Sequence, residues 1–319
     1  MILRPRSLYA IALIMNAATG VLVVAVPLLA IRFGATPFQL GLLGSLGAFA
    51  YTIVCPFSGR YSDAAGSASA PHKGGGRRRV ILMSCALLIV VDLFIFFVSR
   101  LRDVFILTVC GSFCAGFFWA PLQAWLAEIG GGLHLLRRLG RFNLSWSLGI
   151  MVGPVIGGCL YSLDYRFPWC YAVATNVFIL AILFAARDVM RKGGGEQRPE
   201  PRGARHGGMR GYLTLARWAN FVCWFSLASV QSLYPKLAIV QGFSPQLIGY
   251  LLFLVGVAQS AFFVLLSLSP FWHYRYLPLV AVHGLAAVGI FAIYKISSVP
   301  LLSAAFPLLG LALALSYYS

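Results

Sequence analysis

Long apolar runs alternate with short polar segments along almost the whole chain. A helix needs about 20 apolar residues to cross a bilayer, and ten segments reach or approach that length. Because hydrocarbon offers no hydrogen-bond partner to a free backbone N–H or C=O, each segment is predicted to be an α-helix. The predicted spans are residues 8–31, 39–58, 80–98, 104–127, 143–163, 169–187, 212–234, 246–268, 277–296 and 300–318.

Composition favours a membrane protein over a soluble one. Of the 319 residues, 60% are hydrophobic and only 10% are charged, whereas soluble domains carry roughly 25% charged residues. The net charge of +17 could suggest a nucleic-acid partner, but the basic residues lie in short clusters between apolar runs, which is typical of membrane topology. We therefore predict an all-α polytopic membrane protein that contacts the lipid bilayer and no nucleic acid.

Basic residues also predict the orientation of the chain. If the spans alternate in direction, most of the 25 Lys and Arg residues lie on the side of the N-terminus, which the positive-inside rule makes the cytoplasmic side. The prediction is an integral multi-pass protein of the plasma (inner) membrane with a cytoplasmic N-terminus. A signal peptide that starts with Arg4 and Arg6 is the alternative for the first span, but the apolar run is too long for one.

The longest polar segment divides the chain into two helical units. Residues 188–210 include the stretch "RKGGGEQRPEPRGARHGG", whose Gly, Arg and Pro content is typical of a flexible cytoplasmic linker. Residues 1–187 then form an N-terminal half of six helices. Residues 211–319 form an incomplete C-terminal half of four helices.

An internal repeat relates the two units. Residues 27–50, "PLLAIRFGATPFQLGLLGSLGAFA", match residues 235–258, "PKLAIVQGFSPQLIGYLLFLVGVA", without a gap, and two prolines and two glycines fall in register. Six spans separate the copies, so both enter the membrane in the same direction, as in the parallel repeats of secondary transporters. The second copy lacks counterparts of the fifth and sixth spans. We expect either a chain truncated at its C-terminus, which we favour, or a protein short by two helices.

The segment "GRYSDAAGSASAPHKGGGRRRVIL" between the second and third spans carries a further pattern. It resembles the loop of the major facilitator superfamily, Gly-x-x-x-Asp-(Arg)-x-Gly-(Arg/Lys)-(Arg/Lys), with residues 67–76 inserted and Ala64 in place of the basic residue. The resemblance implies a bundle of two six-helix halves and a gating loop whose Asp and Arg stabilise one access state. The matching residues are Gly59, Asp63, Gly66, Arg77, Arg78 and Arg79.

The fifth span contains "GIMVGPVIGG", which is similar to the family's Gly-x-x-x-Gly-Pro-x-x-Gly-Gly motif. Glycines four residues apart form a smooth face for close helix contact, and a proline inside the helix removes one hydrogen bond. Ordinary helix packing explains such glycines as well. In the family the motif is frequent in exporters, so the resemblance favours efflux. The motif residues are Gly149, Gly153, Pro154, Gly157 and Gly158.

The resemblance also implies a cavity lined by the first, fourth, seventh and tenth spans. Polar and aromatic side chains there either contact a solute or hold helices together. Ser112 occupies the position where the family's fourth span carries a basic residue, so proton coupling through that residue is not expected. The candidate residues are Asn16, Thr19, Trp119, Gln123, Asn220, Trp224, Gln231, Tyr234 and Tyr317.

Asp92 is the acidic residue placed well inside a predicted span. Burying a charge in a membrane is costly, so such residues are functional candidates. Asp92 either carries a coupling proton or is a protonated, packed residue of a supporting helix. His283 is predicted to be a packed histidine.

No catalytic constellation is apparent in the sequence, and we predict no enzyme activity, no metal site and no cofactor. The leading hypothesis is a monomeric secondary active transporter that moves a small solute by alternating access, with a proton or other ion as a coupling partner and efflux favoured over uptake. The alternative is a truncated or degenerate membrane protein that does not transport and acts as a scaffold or sensor, or is an inactive fragment.

Overall fold

A computed structural model describes residues 5–67, 74–128, 135–185, 207–267 and 275–318. Regular structure within these ranges consists of ten α-helices and one short 3₁₀-helix, Phe94–Phe97, which follows the third helix. The α-helices are α1 (Pro5–Arg32), α2 (Pro37–Ser67), α3 (Gly74–Leu93), α4 (Leu101–Glu128), α5 (Leu135–Leu163), α6 (Phe167–Ala185), α7 (Gly207–Val240), α8 (Pro245–Ser267), α9 (Tyr276–Lys295) and α10 (Val299–Tyr318).

The helices confirm the predicted all-α polytopic membrane class. Over the described residues, eight of them, α1 to α6, α8 and α10, are long and apolar enough to cross a membrane. The described part of α9 contributes a shorter apolar segment, Val280–Lys295. Polar residues such as Arg217, Gln231 and Lys236 lower the hydropathy of α7. The seventh and ninth spans therefore stay predictions, although each has a helix at its position.

Several helix bounds differ from the predicted spans. The third span extends from Gly76 to Phe97, close to the predicted residues 80–98, but its last four residues are 3₁₀-helix because regular α-helix ends at Leu93. Helix α2 continues to Ser67 and α5 begins at Leu135. An apolar run marks the part of a helix that suits hydrocarbon, whereas backbone hydrogen bonds continue the same helix into the polar interface.

Two predicted polar segments are shorter than expected. Residues 207–210 of the predicted linker belong to the first turn of α7, and residues 188–206 lie outside the described part of the chain. In the predicted insert, Ser67 ends α2 and residues 74–76 begin α3, while residues 68–73 lie outside the described ranges. Glycine can adopt helical and loop conformations alike, so glycine-rich sequence did not reveal that these segments begin helices.

Successive helices alternate in direction, so the short turns lie at one end of the bundle. These turns are residues 33–36, 98–100, 164–166, 241–244 and 296–298. We call this end the short-turn end, and the end where α1 begins the N-terminal end. The two ends provide the reference for locating every site below.

The two copies of the repeat end their first helix in the same way. Gly34 has φ of 81° and Gly242 has φ of 80°. In the first copy Ala35 N–H donates to Ala30 O at 3.0 Å, and in the second Phe243 N–H donates to Ala238 O at 2.9 Å. This is the Schellman arrangement, in which a left-handed residue closes the helix and its last carbonyls gain partners. The sequence repeat is therefore reproduced in backbone geometry.

Buried apolar side chains form three clusters. One joins α7, α8, α9 and α10 with a contribution from α1, and the other two lie among α1 to α6. The two units meet mainly where α5 packs on α8, with smaller contacts of α1 and α2 with α7. The interface between the units thus depends on a few helices, and α5 contributes most of it.

The turn geometry predicts that Gly34→Ala and Gly242→Ala each destabilise the protein by about 1–2 kcal/mol, the cost of a left-handed conformation in a residue with a Cβ. Thermal unfolding of the purified protein in detergent measures this loss. Gly284→Ala is the matched control, because Gly284 lies within α9 with no atom within 4 Å of an added Cβ. Equal melting temperatures for all three variants would contradict the prediction.

Candidate functional site

One face of α5 lies directly on the backbone of α1. A Cβ added at Gly149 would overlap the Leu13 carbonyl oxygen, and one added at Gly157 would lie 2.9 Å from Val21 Cα. An added Cβ at Gly153 would lie 2.6 Å from Gly20 Cα. Three glycines of the predicted motif therefore allow two helix backbones to touch, as small residues do in membranes.

The opposite face of α5 lies equally close to α8. A Cβ added at Gly158 would overlap the Pro245 carbonyl oxygen, and one added at Gly249 would overlap that of Pro154. Farther along the same pair of helices, Ser260 Oγ donates to Ser147 Oγ at 3.1 Å. The five motif positions thus serve two interfaces, one within the first unit and one between the units.

Further contacts join the two units near the short-turn end. Lys236 Nζ on α7 donates to Ala35 O in the turn after α1 at 3.0 Å. A Cβ added at Gly44 on α2 would lie 2.6 Å from Ser232 Oγ on α7. Together with the α5–α8 contact, these interactions close the short-turn end of the interface among the described residues.

A cavity of about 260 Å³ lies below this closed end. Residues from α1, α2, α3, α4, α6 and α7 line it, and most of the lining surface is apolar. The cavity therefore reaches from the interface with α7 into the interior of the first unit. Its polar side chains are Thr19, Asp92, Thr108, Ser112, Asn176, Gln231 and Ser232.

Asp92 faces this cavity although it belongs to α3. The residue is 4% exposed, and among the described residues no hydrogen bond or ion pair reaches its carboxylate. Its helix was expected to support the cavity rather than line it. The structure instead places Asp92 in the wall of a partly open cavity that a proton or a solute can enter.

Of the six residues predicted most directly for a cavity, Gln231 lines this one, whereas Asn16 faces α5. Asn16 Nδ2 donates to Trp146 O at 2.8 Å and so ties α1 to α5. Thr19 also lines the cavity. The remaining predicted residues with described side chains do not line the cavity. Trp119 and Tyr234 are buried, Gln123 is exposed and Asn220 is half-buried. The Trp224 ring meets the Trp146 ring edge to face with centroids 6.0 Å apart, and the side chain of Tyr317 is outside the described part.

Sequence reasoning missed Thr108, Asn176 and Ser232 as cavity residues. Asn176 is the amide side chain in an otherwise apolar α6, and that contrast could have identified it. Thr108 and Ser232 have no such signal, because hydroxyl residues are common in membrane helices and satisfy themselves on the backbone of the preceding turn.

The predicted gating residues meet at the N-terminal end. Arg77 on α3 pairs with Asp63 on α2 at 2.8 Å, and the Arg77 side chain is 10% exposed whereas that of Asp63 is 64% exposed. Arg77 also donates to Ser62 Oγ at 3.3 Å, and Arg78 donates to Leu183 O on α6 at 2.7 Å. Arg79 is exposed, and Gly59 and Gly66 lie within α2.

His283 joins three helices of the second unit. Its Nε2 lies 3.1 Å from Ala219 O and 3.2 Å from Cys223 Sγ, and Ser316 Oγ is 3.4 Å away. In the part of the chain that the structure describes, no group of three or more His, Cys, Asp or Glu could hold a metal ion. The seven cysteines, all within the described ranges, are free.

Comparison with known families gives one match over most of the chain. The model of the Major Facilitator Superfamily matches residues 8–319. Among curated proteins, the quinolone resistance protein NorA of Staphylococcus aureus strain MSSA476 is 25% identical over 217 residues, which are 67% of this chain and 51% of that protein. NorA of strain Mu50 is 25% identical over 226 residues and is covered to 53%. The chain spans about half the length of these relatives.

Solved structures share the fold at low sequence identity. A bacterial homolog of the human lysosomal transporter Spinster, in an inward-facing and occupied conformation, superposes with a TM-score of 0.73 at 16% identity, covering 98% of this chain and 72% of that one. The xylose transporter XylE of E. coli gives 0.68 at 13% identity and is covered to 81%. The nucleoside transporter NupG gives 0.71 at 10% identity and is covered to 80%.

The α1–α5 contact predicts that Gly153→Ala destabilises the protein by about 1–3 kcal/mol, because the added methyl group overpacks two touching backbones. Thermal unfolding in detergent measures the effect. Gly140→Ala is the control on the same helix, since no atom lies within 4 Å of an added Cβ there. A Gly153→Ala melting temperature equal to that of Gly140→Ala would show that the contact is looser than described.

Proposed function

The chain belongs to the Major Facilitator Superfamily, and we propose that it is a secondary active transporter that moves a small solute across the membrane by alternating access. The observation that carries this proposal is the partly open cavity with the carboxylate of Asp92 in its wall, placed where α7 of the second unit packs over the first unit. A pure scaffold has no need of an unpaired acidic group inside a cavity, because burying it is costly.

Rocking of one unit against the other supplies the proposed movement. The units touch through backbone contacts of α5 with α8 at Gly158 and Gly249, where neither residue has a side chain to interlock. Such a surface allows one helix to tilt or slide on the other at low steric cost. The closed short-turn end supports a state in which the cavity is shut at that end, and separation of α7 from α1 and α2 would open it.

The Asp63–Arg77 pair is the proposed stabiliser of one access state. It ties the ends of α2 and α3 together, and Arg78 ties α3 to α6 at the same end. Because Asp63 is well exposed, the pair contributes at most about 1 kcal/mol. That magnitude suits a contact that has to form and break within a transport cycle. We propose that this end is cytoplasmic and that the membrane is the plasma membrane.

Asp92 is the proposed proton carrier. An ionised carboxylate inside a membrane protein is costly, and protonation removes the charge. A carboxylate that is exposed to opposite sides in turn can therefore carry one proton per cycle. Efflux is the proposed direction, since the α5 motif is frequent in exporters of the family and the curated relatives are named for quinolone resistance.

Reconstitution into liposomes tests the proposal. A pH gradient is expected to drive flux of at least one radiolabelled solute from a panel with a sugar, a nucleoside, an amino acid, a quaternary ammonium ion and a quinolone. Asp92→Asn is expected to reduce gradient-driven flux to the level of empty liposomes, because an amide side chain does not bind and release a proton as a carboxylate does. Asp164→Asn, which removes a carboxylate from a short-turn loop outside the cavity, serves as the control.

Two results would count against the proposal. Absence of flux for every solute with the unmodified chain would favour the non-transporting alternative. Unchanged gradient-driven flux in Asp92→Asn would exclude Asp92 as the proton carrier while leaving transport intact.

A further inference from the structure

The cavity extends into the interior of the first unit. Its wall includes Asp92 on α3 and Asn176 on α6 at one side, and Gln231 and Ser232 on α7 at the other, with residues of α1 and α4 between them. Helices α1 and α4 touch each other only sparsely. The space therefore lies between α1 on one side and α2 and α4 on the other, and it connects the interface of the units with a pocket inside α1 to α6.

Two buried side chains in this pocket, those of Asp92 and Asn176, carry oxygens that lack partners among the described residues. Asp92 is 4% exposed, and no hydrogen bond or ion pair from a described residue reaches its carboxylate. Asn176 is 2% exposed, and its Oδ1 has no hydrogen-bond partner among the described residues. The Asn176 amide is oriented unambiguously, because its Nδ2 donates at 3.0 Å to Ala172 O, which can only accept. The Asn176 oxygen is a hydrogen-bond acceptor, and both oxygens of Asp92 are acceptors when the carboxylate is ionised.

Two hydroxyls in the same wall are acceptors as well. Thr19 Oγ1 donates to Met15 O at 3.1 Å, and Thr108 Oγ1 donates to Val104 O at 2.8 Å. Each hydroxyl has one proton, so its remaining lone pairs can only accept. The hydroxyls of Thr19 and Thr108, whose protons are both used, therefore offer acceptors and no donors, whereas Asn176 keeps one N–H on Nδ2 beside its unpartnered Oδ1.

The charged side chains of the cavity wall also indicate which kind of ligand fits the cavity. Among the described residues that line the cavity, Asp92 is the charged side chain, and none is Lys, Arg or His. An enclosed carboxylate and several acceptors are complementary to a ligand with a positive charge and N–H donors. The apolar remainder of the wall, which includes Leu88 and Trp169, suits a hydrocarbon or aromatic body.

We propose that this cavity binds a small organic ammonium ion, with its N–H groups donating to Asp92 and Asn176 and its apolar body packed among the side chains of α1, α4 and α6. The site rests on the proposed transport function for its role, because it names the substrate class. Binding itself requires no transport. A quaternary ammonium ion has the charge but no N–H group, and a neutral alcohol has the donor but no charge, so the three ligand classes separate the two contributions.

Equilibrium binding to the purified chain tests the site. Radiolabelled benzylammonium, benzyltrimethylammonium and benzyl alcohol have similar bodies, and empty detergent micelles provide the blank. Benzylammonium is expected to bind at least about tenfold tighter than benzyl alcohol, since a hydrogen bond to a charged group is stronger than a neutral one. Benzyltrimethylammonium is expected to bind more weakly than benzylammonium, because it cannot donate to Asn176.

Variants assign the contributions to residues. Asp92→Asn is expected to bind benzylammonium and benzyl alcohol with affinities within about twofold of each other, while its binding of benzyl alcohol shows that the cavity is intact. Asn176→Leu is expected to weaken benzylammonium binding by about three- to tenfold. Asp164→Asn, outside the cavity, is expected to bind as the unmodified chain does. If Asp92→Asn aggregates, the proposed ammonium site is tested with two other variants. These are Asp92→Glu, which keeps the charge, and Asn176→Leu.

The site is overturned if the unmodified chain binds benzyl alcohol as tightly as benzylammonium, or if Asp92→Asn keeps the preference for the cation. Binding of benzylammonium without flux of any solute would count against the proposed transport and leave this site standing. Flux of a solute without a preference for the ammonium ion would overturn this site and leave the proposed transport standing.

Discussion

Direct contact between helix backbones is the constraint on which the rest of the structure depends. In a bilayer, apolar side chains gain nothing from leaving lipid for a neighbouring helix, so tight packing has to hold helices together. Helix α5 meets this requirement on two faces, with Gly149, Gly153 and Gly157 on α1 and Gly158 on α8. One helix thus fixes the interior of the first unit and also forms most of the contact with the second.

The cavity follows from where such contacts are present and where they are missing. Backbones touch along α1–α5 and α5–α8, whereas α1 and α4 meet only sparsely. The gap between α1 and α4 opens the interior of the first unit toward α7, and Asp92 on α3 becomes part of a cavity wall. A carboxylate that a compact bundle would have to exclude is tolerated here because it borders a partly open cavity.

The sequence was informative wherever a local rule decides the structure. Apolar runs located the helices, and the repeat placed Gly34 and Gly242 in register, at two turns that both need a left-handed residue. The charged residues of the loop motif indicated that Asp63 and Arg77 lie close together. They do so because α2 and α3 are consecutive helices. Cavity residues were harder, because they depend on how each helix is rotated about its axis. A helix that is apolar on all sides carries no periodic signal that fixes this rotation.

The two copies of the repeat share their backbone geometry, but the side chains of the two units differ in chemistry. Both copies share the turn geometry, yet Lys236, which reaches Ala35 of the first unit, corresponds to Leu28 in the other copy. Asp92 and Asn176, which line the cavity and carry oxygens without partners among the described residues, belong to the first unit, and the second unit adds Gln231 and Ser232 to the wall. The first unit therefore supplies the binding chemistry of the proposed transporter and the second supplies its cover. Movement of α7 away from α2 would remove Gln231 and Ser232 from the wall and break the Lys236 contact together, so opening the cavity and releasing the closed end are one event.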